Sequence, residues 1–114
     1  MLSKDVTNLL GIIEAIEKIE TYCAPFSSFD SFFKNQLHFD AVLMNFVIIG
    51  EMVERLSESL KAEYCSVDWA KVKSFRNIIA HDYFGVDAEE VWQIIQTNIP
   101  TFKSAVNKLL DENS

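Results

Sequence analysis

The chain has 114 residues, 49% of them apolar, enough for one domain with a real core, too few for two, and too oily for a disordered linker. Asp plus Glu is 17 and Lys plus Arg is 10, a net charge of −7 with both histidines neutral. That balance excludes a general nucleic-acid coat, which needs many Lys and Arg contacts to phosphate, but it allows a local basic pocket.

The N-terminal stretch "MLSKDVTNLLGIIEAIEKIE" is studded with acids and has no signal pattern. No apolar run approaches the roughly 18 residues of a spanning helix, so the expectation is a soluble, cytoplasmic chain with no membrane contact. Leu2, Val6, Leu9, Ile13 and Ile16 step by four and three and predict a first helix ending near Pro25. Ser28 suits the cap of a short second helix, "FDSFFKN". The third helix is the longest, with Phe39, Val42, Phe46, Ile49, Val53, Leu56 and Leu60 on one apolar line and Leu43, Val47 and Gly50 on a second beside it. Two lines imply cover on more than one side, and a second copy of the chain is one source of it. Gly50 within this helix suggests a close helix approach. Glu51 and Arg55, four apart, suit a surface ion pair.

Ser66 or Asp68 predicts the cap of a fourth helix, and Gly85 suits a left-handed residue just past its end. Asp87, with Glu90 three residues on, predicts a fifth helix whose inner face is Trp92, Ile95, Ile99, Phe102, Val106 and Leu109, kinked at Pro100. Cys23 and Cys65 lack zinc-site spacing and disulfide density, and both read as small buried or half-buried apolar residues. The predicted architecture is all-α, a four- to five-helix up-and-down bundle in one domain over residues 1–114.

The stretch "RNIIAHDYF", Arg76 to Phe84, carries the chemistry. Arg76 and Tyr83 are seven apart and Asn77 and His81 four apart, so a helix that unwinds at Gly85 would let the four polar groups turn toward one cleft. A neutral imidazole can take the proton of a ribose 2′-hydroxyl, and a protonated one can give a proton to a leaving oxygen. A guanidinium stays charged and stabilises the negative charge that builds at phosphorus. Lys71 and Lys73 offer a positive rim, and Asn77 can orient a phosphate or a base. These groups suffice for RNA transesterification without a metal or cofactor. The competing structural reading is a histidine placed in a last turn by the helix dipole, with Tyr83 as a core residue. His38, Asp40, His81 and Asp82 lack metal-ligand spacing, and no metal is expected.

With its R-x-x-x-x-H-x-Y arrangement, "RNIIAHDYF" resembles the motif of the HepT-like toxins, a branch of the HEPN superfamily of small helical RNases. "IIGEMVERLSESLK", "DWAKVKSFRNIIAHDYFGVDAEEVWQII" and "IPTF" extend the likeness from about Leu37 to Phe102. Asp68 stands where the family often has proline. The resemblance implies a homodimer whose paired motif helices form one RNA cleft, with Arg76 and His81 catalytic and Asn77 as helper; by their place on the helix, Asn77 and Lys73 are the candidates to contact the substrate. It further implies a toxin–antitoxin pair in which a minimal nucleotidyltransferase antitoxin transfers AMP onto Tyr83. The alternative within the fold is a non-catalytic HEPN module that binds a nucleotide or a partner.

Overall fold

The computed structural model describes residues 1–113, and among them the only regular structure is helical. α1 is Ser3–Cys23, α2 Phe29–Lys34, α3 Gln36–Arg55, α4 Glu58–Glu63 and α5 Trp69–His81, followed by a 3-10 turn at Tyr83–Gly85. α6, Ala88–Gln93, runs through a π turn at Ile94–Asn98 into α7, Ile99–Glu112, as one rod. Four long helices and two short ones therefore make the expected bundle, 41 × 27 × 20 Å in extent.

The caps explain most of the boundaries. The Ser28 hydroxyl accepts from the Ser31 N–H at 3.3 Å, and Asp68 accepts from the Lys71 N–H at 3.0 Å. Asp87 Oδ1 accepts from the N–H groups of Glu89 and Glu90. Each satisfies a backbone donor that the first turn of a helix leaves free.

Several expectations change. The buried face of α1 is Leu9, Ile12, Ala15, Ile16, Ile19 and Cys23; Leu2 is exposed, and Val6 and Ile13 are half-buried. The stripe is rotated because α1 packs against both α3 and α7. The third helix stops at Arg55 instead of running to Leu60. At the break, the buried Asp5 carboxylate accepts from the Ser57 N–H at 2.8 Å and from its hydroxyl at 2.6 Å, while the Ser57 oxygen caps α4. Leu56 and Leu60 still reach the core across this corner.

Gly85 is not left-handed, since no described residue has positive φ. α5 closes instead through the Asp82 N–H to the Ile78 carbonyl at 2.9 Å. At Pro100 the helix continues: the turn before it widens, with the Ile99 N–H bonded to the Ile94 carbonyl, and accommodates a residue that has no N–H of its own. Cys23 is buried, but Cys65 is exposed in the turn after α4.

α3 is the central helix, packed between α1 and α5. It is long and apolar enough to cross a membrane by length and composition, yet 44% of that stretch is buried inside the bundle. α5 of the same chain crosses α3 at Gly50, while Val47 of the second apolar line stays half-buried. Gly50 is the closest point, where a Cβ would lie 2.2 Å from the Arg76 Cβ, and the rings of Phe46 and Phe75 meet edge to face at 5.1 Å.

Candidate functional site

α5 carries the motif. Trp69 anchors its first turn by donating from the indole Nε1 to the Tyr64 carbonyl at 3.1 Å, and Ile79 buries its inner face. Lys73, Asn77 and His81 follow one another at steps of four and are all exposed, so they form a polar ridge along the outer side of the helix.

Arg76 points the other way, across Gly50. It is 8% exposed and fully engaged: Nη1 donates to Glu51, Nη2 to Glu54 at 2.6 Å, and Nε to the Asn77 carbonyl oxygen at 2.8 Å. Lys73 bridges to the same Glu54 at 3.3 Å. The bonds to Glu54 and then Glu51 hold the guanidinium pKa above its ordinary value. Its hydrogen bond to Glu54, joined by that of Lys73, holds the Glu54 carboxyl below the usual carboxylate range. Two cations and two carboxylates thus form a locally neutral cluster.

Tyr83 lies at the opposite end of α3. Its hydroxyl donates to Asp40, and Gln36 Nε2 donates both to that hydroxyl at 3.2 Å and to Asp40 at 2.7 Å. The bond to Asp40 raises the phenol pKa. Tyr83 is 36% exposed, and Phe84, stacked edge-on against it, is 99% exposed.

Within one chain, then, the four motif groups do not converge on a cleft. Five residues of α-helix place Arg76 and His81 about 140° apart around α5 and about 7.5 Å apart along it. Asp40 and Glu51, which hold Tyr83 and Arg76, are separated by about 16 Å of α3. Asn77 touches Arg76, Lys73 shares a carboxylate with it, and among the described residues the exposed His81 side chain bonds to none of these groups. Glu51 pairs with Arg76 and not with Arg55. No group of three or more His, Cys, Asp or Glu residues that could hold a metal ion occurs among the described residues.

Sequence reasoning missed Glu54, Gln36 and the part played by Asp40, and misplaced Glu51. A legible signal existed for one pair: two glutamates three apart, beginning beside a helix-interior glycine, put acid groups at a helix crossing, where a cation must answer them.

The family described as Ribonuclease HepT-like matches residues 12–109. A Methanocaldococcus jannaschii protein named as a gamma-glutamylcyclotransferase and putative RNase is 33% identical over 97% of this chain, which spans half the length of that relative. Another protein of the same organism, named as a putative RNase, is 30% identical over the whole chain and 99% of its own length. The probable ribonuclease HepT of Thermococcus cleftensis is 31% identical over 89% of the chain and 91% of its own length. No solved structure matches. The chain belongs to the HepT-like ribonuclease family.

Proposed function

We propose that the protein is a metal-independent endoribonuclease that works as a homodimer and is the toxin of a toxin–antitoxin pair. The observation that carries this reading is the exposed ridge of Lys73, Asn77 and His81, with the permanently charged Arg76 bonded to its middle member. His81 in neutral form takes the proton of a ribose 2′-hydroxyl as that oxygen attacks the adjacent phosphorus. A protonated His81 from the second copy gives a proton to the departing 5′-oxygen, and the products are a 2′,3′-cyclic phosphate and a free 5′-hydroxyl. Arg76 stabilises the charge on the reacting phosphate by exchanging part of its hold on Glu51 and Glu54 for the phosphate oxygens, while Asn77 and Lys73 contact the strand. Two copies bring both Arg76 and both His81 residues to one shared cleft, in place of the separated pair within one chain.

A cognate minimal nucleotidyltransferase silences the toxin by placing AMP on Tyr83. The added phosphate charge and adenine repel RNA from the ridge.

The test is cleavage of a defined RNA in the presence of a chelator, with end-group analysis. The wild-type protein cuts and leaves cyclic phosphate ends, and His81→Ala lowers the rate by a hundredfold or more, on the order of a lost general acid or base. Cutting by His81→Ala at the wild-type rate overturns the assignment. His81 is the informative position because its ring carries no part of the fold; Arg76→Ala also removes the partner of two glutamates and lowers stability.

A second reading is favoured by the engagement of both ends of the Arg76 fork with carboxylates: a helical module that binds a nucleotide or its partner without cutting. Under it RNA stays whole, and Asn77→Ala and His81→Ala weaken the complex with the nucleotidyltransferase.

A further inference from the structure

The Tyr83 hydroxyl is not a free surface phenol. It is held from two sides by α3, donating to Asp40 and accepting from Gln36, and Gln36 is in turn fixed by its own bond to Asp40. Gln36 and Asp40 are four residues apart, one turn of helix, so both side chains rise from the same face toward the 3-10 turn. Among the described residues, Asp40 is the one titratable group in contact with that hydroxyl.

A phenol is a weak nucleophile until its proton leaves, and a hydroxyl already donating to a carboxylate has a built route for that proton. We propose that Asp40 is the proton acceptor, and Gln36 the orienting donor, for nucleotidyl transfer onto Tyr83, so that the toxin chain itself builds the acceptor half of the reaction. This rests on the reading of Tyr83 as the site of modification.

The step balances with a nucleoside triphosphate as co-reactant. The Tyr83 oxygen attacks the α-phosphorus, and its proton passes to the Asp40 carboxylate. The new bond joins the phenolic oxygen to phosphorus, the bond from the α-phosphorus to its bridging oxygen breaks, and pyrophosphate leaves with the electron pair. Asp40 then releases the proton to solvent, on which it opens. The bond to Asp40 raises the phenol pKa, so the hydroxyl keeps its proton at rest and gives it to the carboxylate only as the new bond to phosphorus forms. Gln36, by bonding both oxygens, keeps the acceptor lined up with the hydroxyl.

The experiment follows incorporation of label from ATP carrying a radioactive α-phosphate, with the cognate nucleotidyltransferase, on wild type, Tyr83→Phe, Asp40→Asn, Asp40→Glu and Gln36→Ala. Tyr83→Phe takes no label. Asp40→Asn is slowed about a hundredfold or more at neutral pH, and its deficit against wild type narrows as pH rises and hydroxide does the deprotonating. Asp40→Glu, which keeps a carboxylate within reach, recovers part of the rate, and Gln36→Ala loses less than Asp40→Asn. Far-UV circular dichroism of each variant reports the fold, and Asp40→Glu separates loss of the base from loss of local structure.

Labelling of Asp40→Asn at the wild-type rate, with Tyr83→Phe blank, overturns the role of Asp40 and leaves the modification reading standing. A deficit that stays constant across pH, or one that Asp40→Glu does not relieve, reduces Asp40 to a structural contact and also overturns the proposal. Label on Tyr83→Phe equal to wild type, or no label on wild type, removes the modification reading and the proposal with it.

Discussion

Replacing Gly50 by alanine tests whether α3 and α5 are packed as tightly as the site requires. An added Cβ would lie 2.2 Å from the Arg76 Cβ and 2.5 Å from its Cγ. Carbon atoms rest comfortably at about 3.5–4.0 Å, so the helices have to part by roughly 1.5 Å. The obstacle is the root of the Arg76 side chain, which cannot swing aside as a flexible tip can. Overpacking of this kind costs about 1–3 kcal/mol, offset by about 0.5–1 kcal/mol gained on removing a glycine from a helix interior. Because the obstacle is rigid, the upper end of that cost applies, and the net loss of about 2 kcal/mol corresponds to a fall in melting temperature on the order of 10 °C for a domain this size. Thermal unfolding by circular dichroism measures it. Gly11→Ala is the internal control, because its Cβ meets the flexible Met52 sulfur at 3.3 Å and nothing closer; this variant melts within a few degrees of wild type, about the effect of a few tenths of a kcal/mol. A Gly50→Ala protein as stable as wild type, or no worse than Gly11→Ala, would refute the close approach and with it the placement of Arg76 against Glu51 and Glu54.

Three further outcomes follow from the same geometry. Glu54 has its folded pKa depressed by Arg76 and Lys73, so its contribution to stability is present at neutral pH and lost as pH falls through the folded value; the melting temperatures of wild type and Glu54→Gln, apart at pH 7, converge in acid, and a gap that persists at the lowest pH refutes the ion cluster. Tyr83 has its folded pKa raised by Asp40, so that bond stabilises the protein below the ordinary tyrosine value and is lost as pH rises through the folded value; ultraviolet titration of wild type against Tyr83→Phe isolates the Tyr83 phenol, and Asp40→Asn lowers the pH at which it ionises. Iodoacetamide labels Cys65 in the native protein, while Cys23, buried with its thiol pKa pushed up to about 11, reacts only on unfolding; mass spectrometry of native and denatured samples distinguishes the two.

The parts of the fold that were legible in the sequence are those decided locally. Ser28, Asp68 and Asp87 each cap a helix with their own side chain, and short-range spacing is enough to see it. Where the structure departs from expectation, a distant residue decides. The third helix ends early because Asp5, 52 positions away, takes the backbone and hydroxyl of Ser57. The face of α1 is rotated because two helices claim it. The same holds for the site. The motif names Arg76, His81 and Tyr83, but the acids that hold two of them come from opposite ends of α3, and no spacing within "RNIIAHDYF" reports that. Gly50 was the local sign of the crossing, where α5 seats on α3 through Arg76.

That seating has a further consequence. α5 and its trailing turn are pinned to α3 at two points, Arg76 at one end and Tyr83 at the other, and His81 lies between them like the unsupported deck of a bridge between its piers. The imidazole makes no bond to α3, yet its bearing is set by both. Any chemistry that loosens either pier therefore re-aims the histidine without ever touching it.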